Sequence, residues 1–490
     1  MPNQKNASQD PLIVIASNRG PYSFSFDEDD KVDIQRGTGG LVTALGGLAE
    51  QLDVLWVAVA MSPDDKRWAE EAEGQEQLVE GIRLKLVSPA EDAYDKYYHQ
   101  ISNPLLWFIQ HQLWDAPRSP NITAETWDAW ENGYLEINRS IASAVAESVG
   151  GEERPVIIFP QDYQLYMVPR YLREMLGAKV QIQPFIHIPW PSHDAWSILP
   201  KRIRDALLYS LLDSDGIGFQ TRRDAFNFVQ TCRYFLPDVQ SRGHRDRLFM
   251  GDRMIPARAY PISVDVEKVQ AIAKENETAL LRAQLINSIS DHQLILRVDR
   301  IEPSKNILRG LYAYRTLLEM HPEHREKVQM LCLLVPSRMD VEEYRDYMQE
   351  IMAAAGSINA TFSSPIWEPV RLIIGDNYAR AIAAMQLYSV LFVNPIKDGM
   401  NLVAKEGVLV NQNDGVLVLS EQAGAYAELG EHALGVSPFD IYGTAQALHE
   451  GLTMLPEQRR AKANALREIV ASRGVRDWFK GQVDQMLKQD

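Results

Sequence analysis

Apolar, β-rich runs alternate with helix-like patterns from one end of the chain to the other, and this alternation restricts the fold to parallel sheets covered on both faces by helices. Strands are expected at 12–16, 54–60, 156–159 and 182–186 in the first half, and at 294–298, 328–334, 387–393 and 416–419 in the second. Two Rossmann-like sheets follow. A chain of 490 residues is also too long for one compact core. The boundary falls near Ala259-Tyr260-Pro261-Ile262-Ser263, an extended Pro-containing segment after the polar stretch 241–252 and before a charged helix over 265–281. The expected division is 1–262, 263–470 and a terminal helix over 471–490, where Trp478, Phe479, Val483 and Met486 recur at near-helical spacing and so must pack on something. The charged segment 27–36 reads as a loop, and Asp29-Asp30 and Asp64-Asp65 read as loop charges.

With 50 basic against 66 acidic residues, the formal charge of -16 argues against a nucleic-acid binder or a protein for anionic membranes. A phosphate site must therefore be locally basic. Cys232 and Cys332 are the only cysteines and lack metal-ligand spacing, so neither a disulfide framework nor a zinc site is expected, and a reducing cytoplasm is. Residues 1–10 are polar without a signal-peptide core, and no apolar run approaches the roughly 20 residues that span a bilayer.

The most informative string is Asp398-Gly399-Met400-Asn401-Leu402-Val403-Ala404-Lys405-Glu406, which follows an apolar strand and opens a helix. The first amides of a helix lack intrahelical partners and carry partial positive charge, so Met400 to Val403 can hold a diphosphate by backbone alone. Glu406, a turn further in, suits the paired hydroxyls of a ribose. The same spacing also occurs where Asp398-Gly399 only turns the chain and Lys405 and Glu406 are solvated. A second glycine-rich helix start, Gly37-Thr38-Gly39-Gly40 before a helix over 41–52, follows Ser17-Asn18-Arg19-Gly20 at the end of the first strand. Tyr98 and Trp107 stand nine residues apart, too far to meet on one α-helical turn, though such a pair can line a sugar pocket. Arg300 and Lys305 follow the strand 294–298 at a helix start.

Together these strings resemble the trehalose-6-phosphate synthases, glycosyltransferase family 20, from Ser17 to the terminal helix. The resemblance implies an α/β GT-B fold, two Rossmann-like domains facing a cleft with a C-terminal helix crossing back to the first. It implies retaining transfer of glucose from a nucleotide-glucose, UDP-glucose, to glucose 6-phosphate, giving α,α-trehalose 6-phosphate in the cytoplasm. Arg19, Tyr98, Trp107, Asp162 and Arg338 fall to the acceptor, with Arg19 and Arg338 as phosphate-reading guanidinium forks. Gly39, Gly40, His187, Arg300, Lys305, Asp398, Met400, Asn401, Leu402, Val403 and Glu406 fall to the donor. Arg300, Lys305, Asp162, His187 and Asp398 are the catalytic set, the two cations acting as electrophiles on the leaving diphosphate.

Four positions depart from the family pattern: Gln161 and Gln164 replace histidines, Glu302 replaces Asp and Asn306 replaces Gly. Glutamine hydrogen-bonds a hydroxyl but shuttles no proton, so a mechanism using those imidazoles is excluded. Without carboxylates assigned as a nucleophile pair, front-face substitution is expected, the leaving phosphate taking the acceptor proton. No Asp-x-Asp follows a strand end, so no metal and no separate cofactor is expected. The partners are the two small-molecule substrates, and a homo-oligomer is left open. Other acceptors keep the same chemistry: glycerol 3-phosphate as in glucosylglycerol-phosphate synthases, or a cyclitol as in validoxylamine-phosphate synthases. A non-catalytic sugar-phosphate sensor is the alternative from another class.

Overall fold

The computed structural model describes residues 10–37, 53–289, 291–339 and 341–488. Gly39, Gly40 and the helix expected over 41–52 lie outside them, as do residues 1–9. The chain divides into two compact units, Met1–Pro261 with Arg476–Asp490, and Ile262–Val475.

In the second unit six strands, Val370–Ile374, Val328–Val335, Gln293–Arg300, Val390–Val393, Val416–Ser420 and Leu434–Val436, lie in that order and all parallel. Counted by chain position within the unit, the order is 3-2-1-4-5-6. Winding therefore reverses between Gln293–Arg300 and Val390–Val393, and the carboxyl ends of those two strands open the crevice where sheets of this kind take ligands. Runs such as Val328–Val335 are apolar on both faces because helices cover both. Ile295, Leu317, Met330, Phe392, Val418 and Leu448 are fully buried in one cluster, each worth about 1.5–3 kcal/mol by burial.

The first unit holds a six-stranded sheet in the order Gln77–Val79, Ile82–Val87, Val54–Val59, Leu12–Arg19, Val156–Pro160, Gln181–Ile182, antiparallel only at its first pair. Its winding reverses between Leu12–Arg19 and Val156–Pro160, so Arg19 and the residues after Pro160 share a switch point. A second sheet runs Val239–Gln240, Arg247–Met250, Arg253–Ala259, Ile217–Phe219, Phe185–Ile186. The terminal helix Val475–Met486 packs here, Phe479 on Phe159 (5.1 Å between ring centroids) and Trp478 edge-on to Phe185 (5.0 Å).

Three expectations are corrected. The strand expected over 182–186 is two strands in different sheets, Gln181–Ile182 and Phe185–Ile186. Pro184 intervenes and has no N–H to continue a ladder. The segment 27–36 is no loop: Tyr22–Phe26 and Val32–Arg36 form an antiparallel hairpin, with the charges gathered at its turn. Phe24 lies flat on Trp68 at 4.2 Å, so the apolar period of two outweighs the charge around it. Asp65 is buried in the first turn of the helix Pro63–Glu71, where it completes a capping box with Ser62 and accepts the Phe24 amide at 3.0 Å. Cys232 and Cys332 are free and buried. Among the described residues no helix is long and apolar enough to cross a membrane.

Candidate active-site residues of the two units

In the second unit the strand Gln293–Arg300 delivers Arg300 and, one short turn later, Lys305 to the switch point. The neighbouring strand Val390–Val393 delivers Asp398 and the start of the helix Leu402–Val410. Lys305 Nζ meets Asp398 Oδ2 at 2.5 Å, with only 13% and 14% of the two side chains exposed. Asn401 Nδ2 donates to the same Oδ2 at 3.1 Å, while Asn401 Oδ1 caps the helix by accepting the Ala404 amide at 3.1 Å. That leaves the Leu402 and Val403 amides as helix-start donors without intrahelical partners. Arg300, half exposed, pairs with the buried Glu302 at 3.2 Å.

A buried layer holds this arrangement in place, and sequence reasoning missed most of it. Arg297, 1% exposed in mid-strand, reaches Asp299 at 2.8 Å, Asn394 Oδ1 at 2.5 Å and the Lys305 carbonyl, tying the two strand ends together. Burial pushes the Asp299 carboxyl up to about 6, against the pull of Arg297. Asn306 sits in the left-handed region (φ 59°) and donates to the Asn394 and Pro438 carbonyls at 3.0 and 2.7 Å. The Asn-for-Gly departure is thus one that the backbone accepts, since Asn tolerates this conformation best after Gly. Glu302 is fully buried and accepts from Ser304 Oγ at 2.7 Å. Gly424 is obligatory: a Cβ there would stand 1.8 Å from the Gly399 carbonyl oxygen, and its amide instead donates to the Asp398 carbonyl at 3.0 Å.

Lys405 and Glu406 are not a pair of solvated charges. Lys405 is 2% exposed, ion-paired with Glu428 and donating to the Ile262 carbonyl at 2.8 Å, and burial lowers its pKa. Glu406 accepts the Tyr378 hydroxyl at 2.9 Å, and burial pushes its carboxyl up to about 7. Met400 is buried and its carbonyl accepts the Ala425 amide at 2.7 Å. Arg338 adopts φ 49° and donates to the Tyr344 hydroxyl, its guanidinium 5.4 Å from that ring's centroid.

In the first unit Asp162 follows the strand Val156–Pro160 with φ 69° and ψ -179°, a region essentially reserved for glycine. The distortion aims its carboxylate at the His187 amide, 3.1 Å away. His187 is held at both ring nitrogens. The Gln161 amide is oriented because its Nε2 donates to the Phe159 carbonyl at 2.9 Å, so its Oε1, 2.9 Å from His187 Nε2, must receive a proton from the ring. His187 Nδ1 then accepts from Gln220 Nε2 at 3.3 Å. Burial pushes the His187 pKa down to about 3, in keeping with this neutral tautomer. Gln161, a departure from the family pattern, is thus what fixes the ring. Gln220, 33 residues further along, gave no sequence signal.

Arg19 ends the first strand exposed; beside it Asn18 donates to the Tyr94 hydroxyl at 3.3 Å. Tyr94 stacks on Tyr98 at 5.5 Å. Tyr98 and Trp107 belong to one π-helix, Lys96–Trp107. Its i→i+5 bonding widens each turn, so a separation of nine residues, which faces opposite ways on an α-helix, becomes about two turns on one side. A second π-helix, Trp130–Tyr134, packs so closely that a Cβ on Gly133 would stand 2.5 Å from Lys96 Cβ. Trp107 is buried, stacked on His111 at 4.0 Å and 5.4 Å from Tyr163.

Glycosyltransferase family 20 matches this chain over residues 11–488. The chain is 32% identical over 483 residues to alpha,alpha-trehalose-phosphate synthase [UDP-forming] 1 of Aspergillus fumigatus, covering 96% of this chain and 89% of that one. It spans 56% of a longer relative, probable alpha,alpha-trehalose-phosphate synthase [UDP-forming] 2 of Arabidopsis thaliana, at 30% identity over 96% of this chain. Among solved structures it is similar to the E. coli trehalose-6-phosphate structure bound with UDP-2-fluoro glucose, with a TM-score of 0.84, 27% identity and 97% and 98% of the two chains covered. It is likewise similar to a UDP-forming alpha,alpha-trehalose-phosphate synthase from Burkholderia xenovorans in complex with glucose-6-phosphate, with a TM-score of 0.80, 27% identity and 97% and 99% covered. The fold is GT-B, and the chain belongs to glycosyltransferase family 20.

Proposed function

We propose that the protein transfers glucose from UDP-glucose to glucose 6-phosphate with retention, forming α,α-trehalose 6-phosphate and UDP. The observation that carries this reading is the meeting of Lys305 and Asp398, 2.5 Å apart, at the switch point and at the head of a capped helix. A cation, a carboxylate and helix-start amides at one place suit a diphosphate and the sugar joined to it. Lys305 and Arg300 neutralise the leaving diphosphate, the Leu402 and Val403 amides add to them, and Asp398 with Asn401 orients sugar hydroxyls. Glu406 accepts from the ribose.

His187 is neutral, so it serves by hydrogen bonding rather than by proton transfer, and Asp162 is held beside it. Arg19, Tyr98, Trp107 and Arg338 bind the acceptor. The acceptor oxygen attacks C1 from the face the diphosphate leaves; the C1–O bond to UDP breaks, and the proton passes to a UDP phosphate oxygen. No protein base is required. The residues proposed for transfer include no resident cofactor or metal ligand set, and the protein works in the cytoplasm.

The test is UDP release from UDP-glucose, with ADP- and GDP-glucose as alternative donors, against glucose 6-phosphate, glycerol 3-phosphate and no acceptor, with EDTA present. Release that requires glucose 6-phosphate is expected. Release only with glycerol 3-phosphate, or silence throughout, overturns the reading.

A further inference from the structure

The helix Ile307–Met320 begins just after Lys305 and runs about 20 Å to His321, the residue that ends it. There the turn Pro322–His324 brings Glu323 and His324 back beside it, and the helix Ile441–Thr453, packed alongside, contributes His449. Three of the chain's ten histidines thus meet at one point, at the end of that helix away from Lys305. The His321 and His449 rings lie parallel, 3.6 Å apart at 11°. His321 Nδ1 is 3.2 Å from Glu323 Oε1, and one donor atom from each of His321, Glu323 and His449 lies within 4.8 Å of the others. His321 Nε2 is buried without a hydrogen-bond partner among the described residues, so that edge of the ring is not tied down.

We infer that His321, Glu323 and His449 form a binding site for one divalent transition-metal ion of the zinc class. Two imidazoles and one carboxylate are a borderline donor set. It is too nitrogen-rich for magnesium or calcium and lacks the sulfur that selects copper(I) or iron–sulfur clusters. Ligand bonds of about 2.0–2.1 Å place tetrahedral donors roughly 3.3 Å apart, a separation that side-chain rotation reaches from the observed positions. The second layer is present as well. His324 Nε2 stands 2.9 Å from His449 Nδ1; with the His449 proton on Nδ1, His324 accepts it and His449 Nε2 carries the lone pair for the ion. Three protein ligands leave a fourth position for water. Because the ligands come from the end of one helix, the turn after it and a second helix packed alongside, the bound ion joins those elements of the second unit and stabilises that unit without entering the reaction.

The experiment uses the full chain, stripped with EDTA and dialysed. Zn²⁺ is titrated against a chromophoric chelator, Co²⁺ absorption reports the coordination geometry, and thermal unfolding is followed with and without Zn²⁺. One equivalent is expected to bind, with a four-coordinate Co²⁺ spectrum and a rise of about 5 °C in Tm at 100-fold excess over Kd. His449→Gln and His321→Gln should each lose the equivalent. His324→Gln, which keeps every ligand, should weaken it about 10- to 100-fold. Should one histidine variant fold poorly, Glu323→Gln on the exposed turn replaces it. Absence of stoichiometric binding in the wild type, or a Kd unchanged in His449→Gln and His321→Gln, overturns the inference.

Discussion

Glycine at position 162 should make the protein more stable than alanine does, the reverse of the usual order. Asp162 occupies φ 69° and ψ -179°, where a side chain costs about 1–3 kcal/mol and glycine nothing. Both substitutions delete the carboxylate that accepts the His187 amide at 3.1 Å, a bond to a charged group worth about 1.5–3 kcal/mol, so that loss cancels when the two are compared. What remains is the strain, which alanine keeps and glycine removes, set against the roughly 0.5–1 kcal/mol by which glycine's freedom favours the unfolded chain. At the middle of both ranges the balance favours Asp162→Gly over Asp162→Ala by about 1.25 kcal/mol, and by about 2.5 kcal/mol at most. Urea unfolding of the wild type and both variants, followed by fluorescence and circular dichroism, measures it. Equal stabilities, or alanine above glycine, would refute the strain argument. Both variants should lose turnover alike, because the proposed role of Asp162 resides in its carboxylate.

Lys305→Ala should lower kcat about 10²- to 10³-fold with the KM for glucose 6-phosphate unchanged, and an unaltered kcat would remove Lys305 from the leaving-group role. Arg338→Ala should raise the acceptor KM far more than the donor KM in initial-rate measurements; equal effects on both would take Arg338 out of acceptor binding. Glu406 titrates at about 7 in the folded protein against an ordinary 4.5, so the native state holds this proton more tightly. Its contribution to stability is full below about pH 4.5 and lost as pH rises through about 7, so from about pH 5 to 8 the wild type should lose stability relative to Glu406→Gln. UDP affinity should strengthen over the same interval as the carboxylate becomes able to accept from ribose. Parallel stability curves would show that Glu406 does not titrate there.

The alternation of apolar runs and helical patterns was sufficient to read the two parallel sheets, because strands buried on both faces leave a continuous signal. The string from Asp398 to Glu406 located one switch point, and Arg19 and Asp162 mark the other. The supports were illegible. Arg297 sits in an apolar strand as an isolated charge, and only the fold shows it joining Asn394, Asp299 and the Lys305 carbonyl. Tyr378 reaches Glu406 across 28 residues, and Gln220 reaches His187 across 33, distances at which no local period operates. Residue type also misled. Gln161 reads as a lost imidazole, yet its carbonyl sets the tautomer of the histidine that remains, and Asn306 reads as a lost glycine, yet it keeps the left-handed turn and adds two hydrogen bonds.

Because Lys96–Trp107 is wound as a π-helix, its length encodes an angle. Removing one residue between Tyr98 and Trp107 would let the segment relax to α-helical bonding, and the eight-residue separation left would put the two about 80° apart around the axis. Tyr98 and Trp107 would both survive such a deletion chemically intact and yet face different ways. Side-chain replacement cannot mimic that error, and restoring the lost residue elsewhere in the segment, whatever its identity, would correct it. The wall proposed for the acceptor is therefore specified by phase as well as by composition, and an alignment that tolerates a one-residue gap there would join chains that present these two side chains differently.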